Sequence, residues 1–207
     1  GGQGINTLSY AGSVINRSVT LTALGTSHGF AGTAVGQGTF ENVDVLVGGN
    51  GSDTLTALNA ANIWTLNGAS STFASGGRTL SFNGFETLNG GSLVDTFNLV
   101  GAESGTLNSN AGADVFAFAN NATLNGSING GDDSDTISFA GNTAARSVTL
   151  TGLGSSNGFA GNTTGGSFTN INALIGGNAV DTLIGRNTAA IWLLNGLLQN
   201  NTYTSAK

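Results

Sequence analysis

The strongest constraint on this chain is that its second part repeats its first. Residues 1–21 align with residues 130–150 at an offset of 129, and Ser-Val-Thr-Leu-Thr begins at both Ser18 and Ser147. One residue is then lost, and an offset of 128 holds from Phe40/Phe168 to Trp64/Trp192. We therefore predict a single domain over residues 1–207, with a first unit at 1–129 and a partial second unit at 130–207.

The composition favours short strands and turns over helices. Glycine accounts for 35 of 207 residues, only 8% are charged, and Pro, Cys and Met are absent. The apolar segments are short, rich in Val, Ile, Thr and Phe, and bounded by Gly or Asn, which is typical of strands between tight turns. A net charge of −6 argues against a nucleic-acid partner, and the lack of Cys excludes disulfides and cysteine-bound zinc. No apolar run is long enough for a membrane-spanning helix.

A shorter period lies inside the large one. An Asp or Asn precedes two strand-forming residues at six places: Asn6, Asp53, Asp95, Asp114, Asp135 and Asp181. Their spacings are 47, 42, 19, 21 and 46. These approximate one or two copies of a step of about 21–23 residues, which fits one coil of a β-solenoid.

The predicted fold is therefore all-β, a right-handed parallel β-helix of roughly 9–10 coils. Right-handedness follows the usual chirality of parallel crossover connections. Asn and Thr at equivalent positions of successive coils are expected to form hydrogen-bonded ladders. A β-propeller is the main alternative, because it also repeats at about 42 residues. A β-sandwich predicts no repeat.

Two motifs resemble those of a known group of proteins. Residues 48–56 read Gly-Gly-Asn-Gly-Ser-Asp-Thr-Leu-Thr, with partial versions beginning at Gly1, Gly90, Gly130 and Gly176. A second motif, Phe-x-x-x-x-x-Leu, begins at Phe40, Phe82 and Phe168. Together they resemble the RTX-like and filamentous-haemagglutinin-like β-strand repeats of large bacterial surface or secreted adhesins. The resemblance implies an extracellular or bacterial cell-surface location.

The same resemblance implies calcium, which RTX proteins hold between Asp-bearing turns of adjacent coils. The candidate ligands are Asp53, Asp95, Asp114, Asp133, Asp135 and Asp181. Calcium takes several oxygen ligands, and glycine-rich turns can aim carbonyl groups inward. The chain departs from the RTX pattern because its nonapeptides stand alone. The alternative is that these carboxylates accept hydrogen bonds from backbone N–H groups and fix the turns.

Catalytic residues are not evident. His28 is the only histidine and its repeat counterpart is Asn157, so a loop position is favoured over a catalytic one. Neither a Ser-His-Asp nor a Cys-His set is present. Polysaccharide-degrading β-helix enzymes need clustered carboxylates, usually with Arg or Lys. Here the one dense cluster is at residues 132–135, and Arg17 and Arg146 are repeat equivalents.

The repeated tryptophans and the Thr-x-Thr motifs are candidates either for binding surfaces or for core packing. Trp64 and Trp192 are repeat equivalents, for which we expect packing in the core or at a corner, with a carbohydrate-stacking platform as the alternative. Thr-x-Thr motifs begin at Thr20, Thr54 and Thr149. Ice-binding solenoids use regular arrays of this motif. Here the motifs are expected to lie several coils apart, which disfavours ice binding.

The predicted function is a non-catalytic structural or adhesive segment of a large extracellular repetitive protein or fibre. Its expected partners are neighbouring repeats of the same chain or head-to-tail copies of itself, together with cell-surface glycans. The chain begins at a motif boundary and carries no capping segment, so we expect either a fragment or an end-to-end subunit. The alternatives are a calcium-binding RTX-like secreted module and a carbohydrate-active β-helix enzyme.

Overall fold

A computed structural model describes residues 1–193 and 202–205, and it confirms the all-β prediction. The strands of residues 1–129 are β1 (Thr7–Ser9), β2 (Ser18–Leu24), β3 (Phe30–Ala34), β4 (Gly38–Val43), β5 (Val45–Val47), β6 (Thr54–Thr56), β7 (Asn62–Leu66), β8 (Ser71–Ser75), β9 (Arg78–Asn83), β10 (Thr87–Asn89), β11 (Asp95–Leu99), β12 (Ala102–Asn108), β13 (Val115–Phe118) and β14 (Thr123–Asn129). A 3-10 turn spans Gly68–Ser70.

The described strands of the second unit repeat much of this order. They are β15 (Thr136–Ser138), β16 (Ser147–Leu153), β17 (Phe159–Thr163), β18 (Gly166–Ile171), β19 (Ala173–Ile175), β20 (Thr182–Ile184), β21 (Ala190–Leu193) and β22 (Thr202–Ser205). A register irregularity between Leu150 and Gly152 in β16 lies at the same repeat position as the one between Leu21 and Ala23 in β2. The two units therefore share local backbone detail as well as sequence.

The strands form two long mixed sheets and one separate pair. The nine-stranded sheet has the order β1-β5-β9-β8-β7-β11-β13-β15-β19. The eleven-stranded sheet has the order β20-β16-β17-β18-β14-β12-β10-β6-β2-β3-β4, and β21 pairs with β22. From β9 to β16 the chain crosses from one sheet to the other at every strand. We use the word rung for a strand of the nine-stranded sheet and the strand of the other sheet that follows it.

The two shortest spacings found in the sequence correspond to parallel neighbours. Phe97 pairs with Phe116, and Phe116 pairs with Ile137, so β11, β13 and β15 are neighbours at steps of 19 and 21 residues. Strands β10, β12 and β14 repeat these parallel pairings in the other sheet.

The spacings of 42, 46 and 47 residues were predicted to contain two coils each, and the structure shows a different cause. Antiparallel insertions lengthen the chain between parallel neighbours, and they are β2-β3-β4, β7-β8-β9 and β16-β17-β18. Asp53 precedes a strand of the eleven-stranded sheet, whereas Asp95 begins a strand of the nine-stranded sheet. The interpretation of the 42-residue spacing as two successive coils was therefore wrong.

The core is one cluster of buried apolar side chains that extends from Tyr10 to Ile171. At its centre Trp64, Phe97 and Phe116 share one register position on β7, β11 and β13. The rings of Trp64 and Phe97 stack at 5.5 Å, and those of Phe97 and Phe116 stack at 5.0 Å. Such a pair adds about 0.5–1.5 kcal/mol beyond its buried area, so the column supports the parallel register.

Candidate functional site

A column of polar side chains marks the start of successive strands in the nine-stranded sheet. Its members, in order, are Asn62, Asp95, Asp114, Asp135 and Asn172. In each pair of neighbours the later side chain accepts a hydrogen bond from the backbone N–H of the earlier residue. The N···Oδ1 distances are 3.1 Å at Asp95, 2.6 Å at Asp114, 3.0 Å at Asp135 and 3.1 Å at Asn172. We call this column the carboxylate ladder.

The same contact occurs in the eleven-stranded sheet. Asp53 Oδ1 accepts from the N–H of Arg17 at 2.6 Å, and Glu86 Oε2 accepts from the N–H of Asp53 at 2.7 Å. In the second unit Asp181 Oδ1 accepts from the N–H of Arg146 at 2.8 Å. Because Arg17 and Arg146 are repeat equivalents, this contact recurs with the repeat unit.

At three of the aspartates the second carboxylate oxygen is also used. Oδ2 of Asp53, Asp95 and Asp181 accepts from the N–H of the glycine four residues earlier, at 2.5, 2.6 and 2.5 Å. Each carboxylate thus joins its own Gly-Gly turn to the neighbouring strand start. The sequence-based alternative, that these carboxylates bond backbone N–H groups, describes the observed contacts at all three.

Asp114 and Asp135 differ from the other three. Both are fully buried, and within the described residues Oδ2 of each has no hydrogen-bond partner. Gly131, four residues before Asp135, has a positive φ of 89° and donates its N–H to Asn129 instead. The middle of the ladder therefore holds two buried oxygens that an ionised carboxylate would leave unsatisfied.

Burial and mutual repulsion change the acidity of the ladder. Burial raises the pKa of Asp135 to about 7, and the charges of Asp114, Asp133 and Asp132 act in the same direction. Burial likewise raises the pKa of Asp95 to about 6 and the pKa of Asp114 above its usual range. A protonated carboxyl in this position keeps an acceptor for the backbone and loses the cost of a buried charge.

The six proposed calcium ligands do not converge. Asp53 and Asp181 precede strands of one sheet, whereas Asp95, Asp114 and Asp135 belong to the ladder in the other. Asp133 is exposed in a turn, and its Oδ2 accepts from the N–H of Gly112 at 3.2 Å. Across residues 1–193 and 202–205 no group of three His, Asp or Glu side chains is placed to hold a metal ion. Both oxygens of Asp53, Asp95 and Asp181 already accept N–H groups, which disfavours a cation at these three positions.

His28 holds the N-terminal segment against the turn between β2 and β3. Its Nδ1 lies 3.0 Å from Asp44 Oδ1 and its Nε2 lies 2.8 Å from the carbonyl oxygen of Gly2. The hydrogen bond to Asp44 raises the pKa of His28. In the second unit Asn157 donates its Nδ2 to the carbonyl oxygen of Gly131, the counterpart of Gly2, at 3.0 Å. A contact that an asparagine reproduces is structural in character.

The two repeated arginines also have packing roles. The guanidinium of Arg17 lies 4.9 Å from the ring centre of Tyr10, and that of Arg146 lies 5.4 Å from the ring centre of Phe139. Arg146 is buried and donates from Nη2 to Asn142 Oδ1 at 2.8 Å. Cation–π contacts at the same position in both units stabilise the corner that precedes β2 and β16.

The repeated tryptophans have different surroundings. Trp64 is fully buried in the aromatic column, as the core-packing prediction required. Trp192 lies on β21 and is 45% exposed. A carbohydrate platform at Trp64 is excluded by its burial, whereas the surface of Trp192 stays accessible.

The Thr-x-Thr motifs are closer together than the sequence indicated. Thr20 pairs with Thr56, so the motifs on β2 and β6 lie on adjacent strands and not several coils apart. The row continues with Asn89 and Asn108, where Asn108 Nδ2 donates to Asn89 Oδ1 at 2.8 Å and Asn89 Nδ2 donates to Thr56 Oγ1 at 3.2 Å. The expected Asn/Thr hydrogen-bonded ladder is therefore present on this sheet.

The candidate residues taken from the sequence did not include several side chains that accept an N–H from a neighbouring strand start. Asp44, Glu86 and Asn172 occupy the fifth position of the Phe-x-x-x-x-x-Leu motif, and each accepts a backbone N–H from the neighbouring strand start. A polar residue at that fixed position was the available signal. Asn62 has the weaker signal of preceding a strand-like Ile-Trp pair.

These features define the chain as an all-β protein of two long mixed sheets whose strand starts are joined by side-chain-to-backbone ladders. Comparisons with protein-family models, curated proteins and solved structures find no match for it. In the described part of the chain, no helix is long and apolar enough to cross a membrane.

Proposed function

We propose that the chain is a non-catalytic structural or adhesive segment of a large extracellular repetitive protein. Its architecture is a right-handed parallel β-helix interrupted by antiparallel insertions. The observation that supports this most is the continuous core, which spans both units while the chain passes repeatedly between two sheets with parallel neighbours. A column of this kind grows by adding units, which suits a spacer or a fibre.

The distribution of reactive side chains supports a structural role. The His28 contact to Gly2 has an Asn157 counterpart, and the cation–π contacts of Arg17 and Arg146 are equivalent. In the ladder, Oδ1 of each aspartate accepts a backbone N–H. An enzyme needs a unique constellation around one substrate, whereas the contacts of His28 and of the two arginines have counterparts in the second unit.

The sheets set the length of the proposed rod. Nine and eleven strands at a spacing of about 4.8 Å give a rod of about 40–50 Å. Its proposed partners are further repeat units, other copies of the chain and glycans of a cell surface.

Two measurements on the purified chain test this function. Small-angle scattering is expected to show an elongated particle of about 40–50 Å, and a glycan array is expected to show binding without turnover. Release of new reducing ends from a polysaccharide by the wild-type chain, lost in Asp135→Asn, would establish an enzyme instead. A compact, near-spherical scattering profile would contradict the rod.

A further inference from the structure

Both sheets end in an unpaired strand at the N-terminal end of the molecule. In the described structure β1 pairs only with β5, and β4 pairs only with β3. Unpaired edge strands present free backbone donors and acceptors to a further strand. These two edges belong to different sheets.

The second repeat unit shows the same two strands in a covered state. By the repeat offsets, β15 is the counterpart of β1 and β18 is the counterpart of β4. There β15 pairs in parallel with β13, and β18 pairs in parallel with β14. Strands β13 and β14 form one rung, so a single rung covers both edges.

The polar groups that bond the covering rung in the second unit have unpaired counterparts at the N-terminal edge of the described chain. Thr136 donates its N–H to the carbonyl oxygen of Asp114 at 2.9 Å, and its counterpart Thr7 lies on the unpaired edge. Asp135 Oδ1 accepts from the N–H of Asp114. The counterpart Asn6 uses its Nδ2 for backbone carbonyls, and within residues 1–193 and 202–205 its Oδ1 accepts no hydrogen bond.

The apolar side chains at the edge are less buried than their counterparts in the second unit. Ile137 is fully buried and Phe168 is 3% exposed beneath β13 and β14. Their counterparts, Leu8 and Phe40, pack against the core but are only partly buried. Covering these two side chains would remove their remaining apolar surface from water, which favours docking.

The backbone at the edge also leaves the required space. A β-carbon on Gly166 would lie 2.9 Å from the carbonyl oxygen of Gly126 in the covering strand. At Gly38, the counterpart of Gly166, a β-carbon would meet nothing within 4 Å. No described strand pairs with β4 on the side where β14 pairs with β18.

We propose that β1 and β4 together form a docking surface for one parallel rung with the sequence pattern of residues 115–129. The rung is supplied by another unit of the same repeat, and the proposal rests on the proposed function as a segment of a repetitive protein. The incoming strands would be Val-Phe-Ala-Phe against β1 and Thr-Leu-Asn-Gly-Ser-Ile-Asn against β4. The N–H of the residue corresponding to Asp114 would bond Asn6 Oδ1, as the N–H of Asp114 bonds Asp135 Oδ1.

The test is an extended chain in which residues 109–129 are placed directly before Gly1. Because Asn129 precedes Gly130, the counterpart of Gly1, this junction is native and needs no linker. We expect the amide hydrogens of Thr7 and Ser9 to exchange at least about ten-fold more slowly and the melting temperature to rise. The matched control carries Phe116→Asp and Ile128→Asp in the added segment alone, and it should restore the exchange rates of the unextended chain.

Unchanged exchange at Thr7 and Ser9 in the extended chain would overturn the proposal. So would concentration-dependent association of the unextended chain that the added rung abolishes, because the occupant would then be the opposite end of a second copy. Scattering from the unextended chain reports the rod independently of the added segment. If the unextended chain is elongated but Thr7 and Ser9 exchange no more slowly in the extended chain, the docking surface is refuted and the proposed function still stands.

Discussion

Asp114 donates its backbone N–H to Oδ1 of Asp135 at 3.0 Å while its own Oδ1 accepts the backbone N–H of Asp95 at 2.6 Å. One residue thus joins three consecutive strands of the nine-stranded sheet. The ladder replaces, at the strand starts, the backbone pairing that begins only one residue later.

Removing the carboxyl of Asp114 should destabilise the fold. Asp114→Ala leaves the buried N–H of Asp95 without its acceptor, and we expect a loss of about 1–3 kcal/mol in the free energy of unfolding. Asp114→Asn keeps an acceptor oxygen and should lose less. Urea unfolding measures both variants. Asp132→Ala, at an exposed position in the same region, is the control and should change stability by no more than about 0.5 kcal/mol.

Stability should decrease as the pH rises through the acidic and neutral range. The pKa of Asp135 is about 7 and that of Asp95 is about 6 in the fold, both above the ordinary value of 3.8. Between about pH 4 and about pH 7 these two groups therefore bind more protons in the folded state than in the unfolded chain. Their contribution to stability is fully present below about pH 4 and is lost as the pH rises toward about 7. The raised pKa of His28 acts in the same direction above its ordinary value of 6.5.

The measurement is the urea midpoint at about pH 5 and about pH 8, which should be higher at the lower pH. Asp135→Asn should flatten the difference, and His28→Asn, which installs the residue of the second unit, should flatten it less. Equal midpoints at both pH values would show that the ladder is not protonated in the fold.

The repeated tryptophans should respond differently to truncation. Trp64→Ala opens a cavity in the aromatic column, and we expect a loss of about 3–5 kcal/mol. Trp192→Ala, at a half-exposed position, should cost about 1 kcal/mol or less. Fluorescence of the two single-tryptophan Phe variants adds a check, since acrylamide should quench Trp192 and spare Trp64. Equal quenching would contradict the burial of Trp64.

Close backbone packing predicts a strong requirement for glycine at residue 126. A β-carbon on Gly126 would overlap the carbonyl oxygen of Gly105 on the neighbouring strand. We expect Gly126→Ala to cost about 1–3 kcal/mol, or more where the strands cannot separate. Gly2→Ala, where a β-carbon meets nothing within 4 Å, is the control and should be nearly neutral. Thermal unfolding of both variants measures the difference.

Calcium should have little effect on stability. Both carboxylate oxygens of Asp53, Asp95 and Asp181 already accept backbone N–H groups, so we expect the melting temperature to change by less than about 1 °C when calcium or a chelator is added. Calorimetric titration should show no uptake. A rise of several degrees with calcium, absent with magnesium, would mean that the turns rearrange around the metal.

Much of the fold could be predicted from the sequence because the two repeat units can be aligned with each other. The 19- and 21-residue steps between Asp95, Asp114 and Asp135 gave the parallel neighbours, and the burial of Trp64 followed from its strand-like flanks. The antiparallel insertions were not predicted. Their strands are as short, and as rich in Thr and Phe, as the parallel ones, so spacing alone does not distinguish a returning strand from another coil.

The site was predictable in its residues but not in its chemistry. Asp residues at strand starts were found as candidate ligands, yet a carboxylate that caps backbone N–H groups and one that binds calcium occupy the same sequence position. Which one forms depends on whether carboxylates from different turns converge. Convergence depends on which sheet each strand joins, and Asp53 and Asp95 lie at strand starts of different sheets.

The antiparallel insertions balance each other along the axis. Insertion β2-β3-β4 adds two strands to the eleven-stranded sheet, and β7-β8-β9 then adds two to the nine-stranded sheet. One whole unit therefore advances both sides by the same height, and the surplus of two strands in the larger sheet comes from β16-β18 alone. In the second unit Trp192 pairs with Tyr203 in an antiparallel hairpin, as Trp64 pairs with Phe73 in the first. A unit that lost only one of its two antiparallel insertions would add two more strands to one sheet than to the other. The two sheet edges with which the next unit pairs would then lie at different heights along the axis.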